Sequence, residues 1–153
     1  MKAQLDNIDI EILKMLTENA RTPIKLIAEK VFVSAPTVAA RIDAMERAGV
    51  IMGYTAKVSS SVLGNPVRAF INLEVSPDKK GELYSFIKKS PEVIECDHVT
   101  GEYSVIIKAI FVSTAALEHF ITNLQNFGRT KTQIVMSMIA ENNGFSLDLV
   151  EKE

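Results

Sequence analysis

Apolar residues recur at helical spacing through the first third of the chain, up to about residue 48. A first predicted helix carries its apolar residues on one face: Leu5, Ile8, Ile12, Leu13 and Leu16. Asp6 can cap this helix, and Asp9 in its first turn favours the positive end of the helix dipole. The stripe predicts a helix that buries one face in a small core.

Two further helices are predicted at short intervals. Thr22-Pro23 predicts the start of the second helix, with Thr22 as the cap and Pro23 in the first helical position, where no N–H is needed. Ser34 predicts the cap of a third helix over 35–48, and the glycine that follows ends it. Only residues 31–33 separate the two helices, which is the spacing of a helix-turn-helix.

Residues that suit DNA cluster around the third helix. Small residues at its start let it enter a major groove closely, while hydroxyl and basic groups can reach base edges or phosphates. The candidate DNA-binding residues are Lys25, Ser34, Ala35, Pro36, Thr37, Arg41 and Arg47. The structural alternative is a plain three-helix bundle with Arg41 on a solvated face.

Beyond Tyr54 the spacing becomes mostly strand-like. Residues 50–58 predict a short strand or wing, and residues 59–66 form a loop rich in Ser, Gly and Pro. Strands and helices then alternate in the order β-α-β-β-α-β, which predicts a ferredoxin-like arrangement. The predicted fold class is α+β: a winged helix-turn-helix domain over 1–58, a linker over 59–66 and a ferredoxin-like βαββαβ domain over 67–153.

Both faces of the predicted sheet look apolar. The third strand, for example, carries Ile107 on one face and Ile106 and Ile110 on the other, and a last strand over 130–140 is similar. Because large exposed apolar patches are rare on soluble monomers, this pattern predicts that a second copy of the chain covers the outer face.

Charge limits where a DNA site can lie. The chain has 153 residues and a net charge of −2, so no overall basic field indicates nucleic acid. Residues 21–57, however, hold six basic and three acidic residues, a local excess of +3 around the predicted helix-turn-helix. A single cysteine, no signal peptide and no apolar run of membrane length predict a soluble cytoplasmic protein without a membrane contact.

Short motifs occur in a fixed order along residues 5–142. They are Leu5-Asp6-Asn7-Ile8-Asp9 with Ile12-Leu13, Asn19-Ala20-Arg21, Ser34, Arg41-Ile42, Gly49-Val50-Ile51, Gly53-Tyr54, Leu63-Gly64, Pro91-Glu92-Val93, Val99-Thr100-Gly101-Glu102-Tyr103 and Thr130-x-Thr132. In this order the sequence resembles the Lrp/AsnC (feast/famine) transcriptional regulators of bacteria and archaea. The resemblance implies a helix-turn-helix reader joined to a ferredoxin-like effector and assembly domain.

The same resemblance implies the partners. Members form dimers through the C-terminal domain, and the dimers usually assemble into octamers or related forms that wrap or bend DNA. Many members bind an amino acid between dimers, near the Thr-Gly turn. The effector residues that the resemblance implies here are Thr100, Gly101, Glu102, Tyr103, Ser104, Thr130, Thr132 and Gln133.

Ser104 departs from the family's usual turn, which commonly has Asp at this position. A neutral hydroxyl cannot offer an ammonium group the charge-assisted hydrogen bond that a carboxylate offers. Glu102 can substitute from another direction, so we predict either no response to leucine or a preference for another metabolite. The alternative is that the turn only completes an assembly contact.

Other chemistry finds little support in the sequence. Cys96 and His98 share one face of a predicted strand while Asp97 points away, so no metal site is predicted. There is no nucleophile elbow, phosphate-binding glycine loop or spaced pair of catalytic carboxylates, so we predict no enzyme and no cofactor. The main prediction is a sequence-specific DNA-binding regulator that acts as an oligomer. The alternative is a metabolite-binding or assembly module whose N-terminal helices make only protein contacts.

Overall fold

The computed structural model describes residues 5–140. They fall into two compact units, one that runs up to Lys57 and one over Val58–Ile139. The outer ends of the two predicted domains, residues 1–4 and 141–153, lie outside the described residues. None of the helices in the described part is long and apolar enough to cross a membrane.

The first unit contains three helices: Asn7–Glu18 (α1), Ile24–Val31 (α2) and Ala35–Arg47 (α3). α1 begins at the predicted cap, which is a reciprocal capping box. The N–H of Asp9 donates to Oδ1 of Asp6 at 2.9 Å, and the N–H of Asp6 donates to Oδ2 of Asp9 at 3.1 Å. Two N–H groups that the helix itself leaves without partners are thereby satisfied.

The predicted cap of α2 is wrong. Pro23 occupies the position before the helix, in an extended conformation, and no side chain caps α2. The Thr22 hydroxyl instead donates to the carbonyl oxygen of Asn19 at 2.7 Å. Because Pro23 takes the cap position, Thr22 lies one residue too early to cap the helix, and its side chain bonds the loop after α1.

The three helices meet in a small core. Ile12 of α1, Ile27 of α2 and Val38 of α3 are fully buried. Each contributes roughly 1.5–3 kcal/mol relative to an exposed position. The apolar stripes predicted from sequence are therefore the faces that pack.

No strand forms over residues 50–58, where the sequence analysis predicted a strand or wing. Gly49 follows α3 with a φ of +72°, a left-handed conformation that turns the chain away from the helix axis. Farther on, the Tyr54 hydroxyl donates to Oε1 of Glu46 in α3 at 2.8 Å. A strand needs a neighbouring strand for its backbone groups, and the described part of this unit offers helices instead.

The second unit is an antiparallel sheet with two helices packed on one face. Its strands are Val67–Val75 (β1), Val93–His98 (β2), Val105–Phe111 (β3) and Gly128–Ile134 (β4); its helices are Lys80–Lys89 (α4), preceded by a 3-10 turn at Pro77–Lys79, and Thr114–Gln125 (α5). The strand order is β2-β3-β1-β4. The predicted βαββαβ arrangement is confirmed.

The core of this unit lies between the sheet and the helices. Alternate residues of the two central strands are fully buried there: Ala69, Ile71, Leu73, Val105, Ile107 and Ala109. Phe120 of α5 packs against Phe86 of α4 and Phe111 of β3, with ring centroids 5.5 and 5.4 Å apart. These aromatic contacts join both helices to the sheet.

The outer face of the sheet is less apolar than predicted. Phe70, Ile106 and Ile110 do lie on it, since their strand neighbours point into the core. Polar side chains alternate with them: Arg68, Asn72, Glu74, Lys108, Arg129 and Lys131. The outer face therefore carries an apolar strip within a charged surface.

The last strand is shorter than predicted. β4 ends at Ile134 rather than running through 130–140, and the N–H of Val135 makes one more bond, to the carbonyl of Arg68. β1 begins at Val67, so it has little backbone left to pair with residues farther along. Met136, Met138 and Ile139 are accordingly exposed.

Candidate nucleic-acid interface and effector site

The start of α3 is a turn capped by Ser34, with Pro36 within its first two positions. Ser34 lies in an extended conformation, and its Oγ accepts from the N–H of Thr37 at 3.2 Å. The two hydroxyl oxygens of Ser34 and Thr37 are 2.7 Å apart. The predicted serine cap is confirmed, and the helix start keeps the partial positive charge that suits a phosphate.

The outer face of α3 consists mostly of small residues. Its exposed residues are Pro36, Thr37, Ala40, Asp43, Ala44, Glu46 and Arg47. Ala35 was predicted on this face, but it is half-buried and packs against the core. It lies three residues before the buried Val38, which places it on the core side of the helix.

Arg41 differs most from its predicted place. Its Nη1 donates to Oδ2 of Asp6 at 2.7 Å and to Oδ1 of Asp9 at 2.8 Å, and only 29% of its side chain is exposed. The bonds to Asp9 and Asp6 raise the pKa of Arg41. The Asp9 N–H, with help from Arg41, lowers the pKa of Asp6. Arg41 therefore joins α3 to the capping box of α1.

The sequence analysis missed the second role of that capping box. Asp6 and Asp9 were recognised only as groups that favour the start of α1. The sequence does contain a signal, because two neighbouring carboxylates at one helix start indicate that a cationic side chain lies nearby. The sequence does not show which cation this is, since Arg41 lies 35 and 32 residues away along the chain.

The other predicted cations are accessible. Lys25 on α2 and Arg47 in the last turn of α3 are both exposed. Exposed lysine and arginine side chains near a recognition helix commonly contact DNA phosphates.

The predicted effector turn lies between β2 and β3. Gly101 has a φ of +119°, which side-chain-bearing residues rarely adopt. The N–H of Val99 donates to the carbonyl of Ser104 at 2.9 Å and closes the turn. Thr100, Gly101 and Glu102 are exposed on it.

Ser104 faces the sheet. Its N–H donates to the carbonyl of Leu73 at 3.1 Å, and its Oγ accepts from the N–H of Val75 at 3.4 Å. The hydroxyl group thus has a backbone partner at the end of β1. The Ser104 hydroxyl group therefore stabilises the turn. The exposed acidic group on the turn is the neighbouring Glu102.

Arg129 of β4, which the sequence analysis did not select, organises the turn. Its Nε donates to Oε2 of Glu74 at 3.1 Å and its Nη2 donates to Oε1 of Glu102 at 2.7 Å. Its guanidinium carbon lies 5.6 Å from the centre of the Tyr103 ring. Glu74, Tyr103 and Glu102 together raise the pKa of Arg129, whose side chain is 62% exposed.

The remaining predicted effector residues are divided between two faces of β4. Thr130 and Thr132 pair with core-facing residues of β1, so they lie on the helix side of the sheet. Gln133 lies on the outer face, where its Oε1 accepts from Nδ2 of Asn72 at 3.0 Å. The structure thus brings Glu102 and Tyr103 together with Arg129, and it separates Thr130 and Thr132 from Gln133.

Cys96 and His98 share one face of β2 as predicted, and Asp97 lies on the other. Burial raises the pKa of the Cys96 thiol. Within residues 5–140 the structure contains no group of three or more His, Cys, Asp or Glu side chains that could hold a metal ion.

A helix-turn-helix unit followed by a ferredoxin-like unit is the architecture of DNA-binding regulators that carry a separate ligand-binding domain. The family comparison agrees: residues 5–52 match the winged helix-turn-helix DNA-binding model and residues 68–145 match the Lrp/AsnC ligand binding domain. The chain belongs to the Lrp/AsnC family. The resemblance found in the sequence is confirmed.

Individual relatives cover nearly the whole chain. The HTH-type transcriptional regulator YezC of Bacillus subtilis is 33% identical over 87% of this chain and 94% of that protein. The structure of Escherichia coli AsnC is 32% identical, with a TM-score of 0.83 over 92% of this chain and 97% of that one. A transcriptional regulator from Neisseria meningitidis, solved in complex with L-Met, is 26% identical, with a TM-score of 0.89 over 95% and 98%.

These relatives are transcriptional regulators, and so is this protein; it is not an enzyme. The main functional prediction is therefore favoured over a module whose N-terminal helices make only protein contacts.

Proposed function

We propose that the protein regulates transcription in the cytoplasm by placing α3 in the major groove of DNA. The observation that carries this proposal is the exposed face of small residues directly after the serine cap. Thirteen residues at about 1.5 Å each give α3 a length of about 20 Å, enough to lie along a groove. Thr37 supplies a hydroxyl group for base edges, and Pro36 and Ala40 let the helix approach closely.

Phosphate contacts in this proposal come from groups around α3. Lys25 and Arg47 supply exposed cations, and the positive end of the α3 dipole adds partial positive charge near Ser34. Arg41 acts differently from the base reader expected at first. With two carboxylates engaged it sets the angle between α3 and α1, so its contribution to DNA binding is positional.

A salt series distinguishes base reading from phosphate contact. Thr37→Ala removes a base-edge partner, so it weakens binding to a preferred duplex by about 1–3 kcal/mol and relaxes preference at one position. Lys25→Ala weakens binding to all duplexes and lowers the slope of log Kd against log salt by about 1. Lys88→Ala in the other unit is the control with the same change in charge. Unchanged binding in both of the first two variants would contradict the proposal.

We further propose that the protein acts as a dimer, or an assembly of dimers, formed through the outer face of the sheet. The apolar strip of Phe70, Ile106 and Ile110 supports this, because such a strip gains from removal of water. A two-fold dimer presents two α3 helices to half-sites on successive turns of DNA.

Light scattering on the full-length chain tests this dimer. Ile110→Asp places a charge in the apolar strip and is expected to lower the mass at micromolar concentration. Tyr84→Asp, an exposed position on α4, is the control and should leave the mass unchanged. A wild-type monomer at these concentrations would refute the interface.

The effector in this proposal is an α-amino acid held at the turn between β2 and β3. Its carboxylate displaces Glu102 from Arg129, and the released carboxylate of Glu102 accepts a hydrogen bond from the ammonium group of the amino acid. Support comes from the accessible ion pair of Arg129 with Glu102 and from the relative solved with L-Met. This exchange gives Glu102 the role that a carboxylate at position 104 would otherwise fill.

Calorimetric titration with single amino acids tests the exchange. We expect binding of L-methionine or another amino acid in preference to L-leucine, and Glu102→Gln should weaken it about tenfold or more because the charge on the acceptor is lost. Tight L-leucine binding that Glu102→Gln leaves unchanged would show that Glu102 does not take this role.

A further inference from the structure

The turn between α2 and α3 contains a phenylalanine in a conformation that glycine favours. Phe32 has φ 57° and ψ 40°, in the left-handed region, and it is the one non-glycine residue with a positive φ within residues 5–140. Its N–H donates to the carbonyl of Ala28, so the turn is closed by the backbone. Left-handed residues at helix ends are usually glycine, because a Cβ atom is unfavourable there.

The Phe32 ring contributes nothing visible to the packing of its own unit. Its side chain is 94% exposed, whereas the neighbours Val31 and Val33 are packed against the helical core. The fold therefore accepts backbone strain and an exposed aromatic ring at the same residue. Strain that the surrounding fold does not repay by packing points to a contact made outside the folded chain.

The position of Phe32 indicates what it contacts. It lies two residues before Ser34, the cap of the helix proposed to enter the major groove, and it follows the exposed Lys30 in the last turn of α2. The first residues of a recognition helix contact the base edges, and Phe32 closely precedes them in the chain, with its ring exposed. In the major groove the apolar group available to an aromatic ring is the thymine methyl.

We infer that Phe32 is a specificity-determining residue that contacts a thymine methyl group at the edge of the recognition site. This inference rests on the proposed function of α3. It also implies that the Phe32 side chain strengthens DNA binding while it lowers the stability of the protein without DNA.

The test uses the full-length protein and a duplex that the wild type selects from a random pool. Phe32→Gly should raise the Tm, because glycine relieves the left-handed strain, and should weaken binding about tenfold with an unchanged salt slope. Phe32→Asn, which also tolerates this conformation, should behave in the same direction. Met52→Ala, equally exposed at 95% but outside the turn, should change neither quantity.

Replacing thymine by deoxyuridine in the same duplex identifies the contact, because deoxyuridine lacks only the methyl group. Wild-type binding should weaken by about the factor that Phe32→Gly costs, and Phe32→Gly should not distinguish the two duplexes. Equal binding of thymine and deoxyuridine duplexes by the wild type, or full binding by Phe32→Gly, would overturn the inference.

Two further outcomes separate the possible causes of failure. If Phe32→Gly changes the mass in light scattering, the ring contacts another copy of the chain, and the inference is wrong. If Lys25→Ala and Thr37→Ala weaken binding while Phe32→Gly does not, the inference fails alone. If none of the three variants weakens binding, the proposed role of α3 fails with it.

Discussion

Each unit of the protein contains an arginine that bridges two carboxylates, and the two arginines differ in accessibility. Arg41 in the helical unit bonds Asp6 and Asp9 at 2.7 and 2.8 Å, and its side chain is 29% exposed. Arg129 in the sheet unit bonds Glu74 and Glu102 at 3.1 and 2.7 Å, and its side chain is 62% exposed. Two arginines that each bond two carboxylates at hydrogen-bond distance thus lie in different surroundings.

The difference indicates two roles. A partly buried pair is screened little by water, and breaking it leaves charges whose hydration is incomplete, so Arg41 should stabilise its unit. An exposed pair gains little because water competes for the same groups, so Arg129 can exchange one carboxylate for another at small cost. Arg41 with Asp6 and Asp9 therefore suits a fixed joint between α1 and α3. Arg129 with Glu102 is an exchangeable pair and suits a ligand site.

The largest effect is expected at the fixed joint. Arg41→Met removes both ion pairs and should lower the free energy of unfolding of the helical unit by about 2 kcal/mol. DNA binding should weaken as α3 loses its fixed angle to α1. Denaturant unfolding followed by circular dichroism measures the change. Arg47→Met, on the exposed face of the same helix, is the control for stability. An equal loss of unfolding free energy in the two variants would show that Arg41 has no special structural role.

A smaller effect on stability is expected at the exchangeable pair. Arg129→Met should leave the unfolding midpoint nearly unchanged, yet it should weaken amino-acid binding about tenfold or more because the carboxylate loses its partner. Thermal unfolding and calorimetry on one sample report both quantities. Lys131→Met, two residues on and on the same face, serves as the comparison. A large drop in stability with Arg129→Met would make this arginine structural, like Arg41.

The smallest effect is a pH dependence that only the fixed joint should show. The pKa of Asp6 is lowered below 3.8 in the folded protein, so the ionised carboxylate stabilises the fold above that pH. This contribution is lost as the pH falls through the folded-state pKa. Because the Asp6 side chain is 53% exposed, the effect should stay below about 1 kcal/mol.

Asp6→Asn isolates this pH dependence. The variant should be less stable than the wild type at pH 7 and should approach it as the solution is acidified to about pH 3. Asp43→Asn, on the exposed face of α3, should keep the wild-type acid limb. A constant difference between Asp6→Asn and wild type from pH 7 to pH 3 would show that the charge of Asp6 contributes nothing.

Features that depend on a few neighbouring residues were predictable from the sequence. The caps at Asp6 and Ser34 are confirmed, because each side chain bonds a backbone N–H three residues ahead. The cap predicted at Thr22 is wrong because the helix begins one residue later, so Pro23 takes the cap position. Residues 50–58 were predicted as a strand or wing, and no strand forms there, because alternation describes one chain segment whereas a strand also needs a partner.

The sequence by itself determined the order of elements, the apolar stripes of the two cores and the family, because each is carried by residue types at short or ordered spacing. Only the tertiary structure decided which charges meet. Arg129 joins Glu74 and Glu102 from 55 and 27 residues away, and the strand register separates Thr130 from Gln133. Which distant residues pair depends on how the helices and strands pack, and a local sequence pattern does not show this.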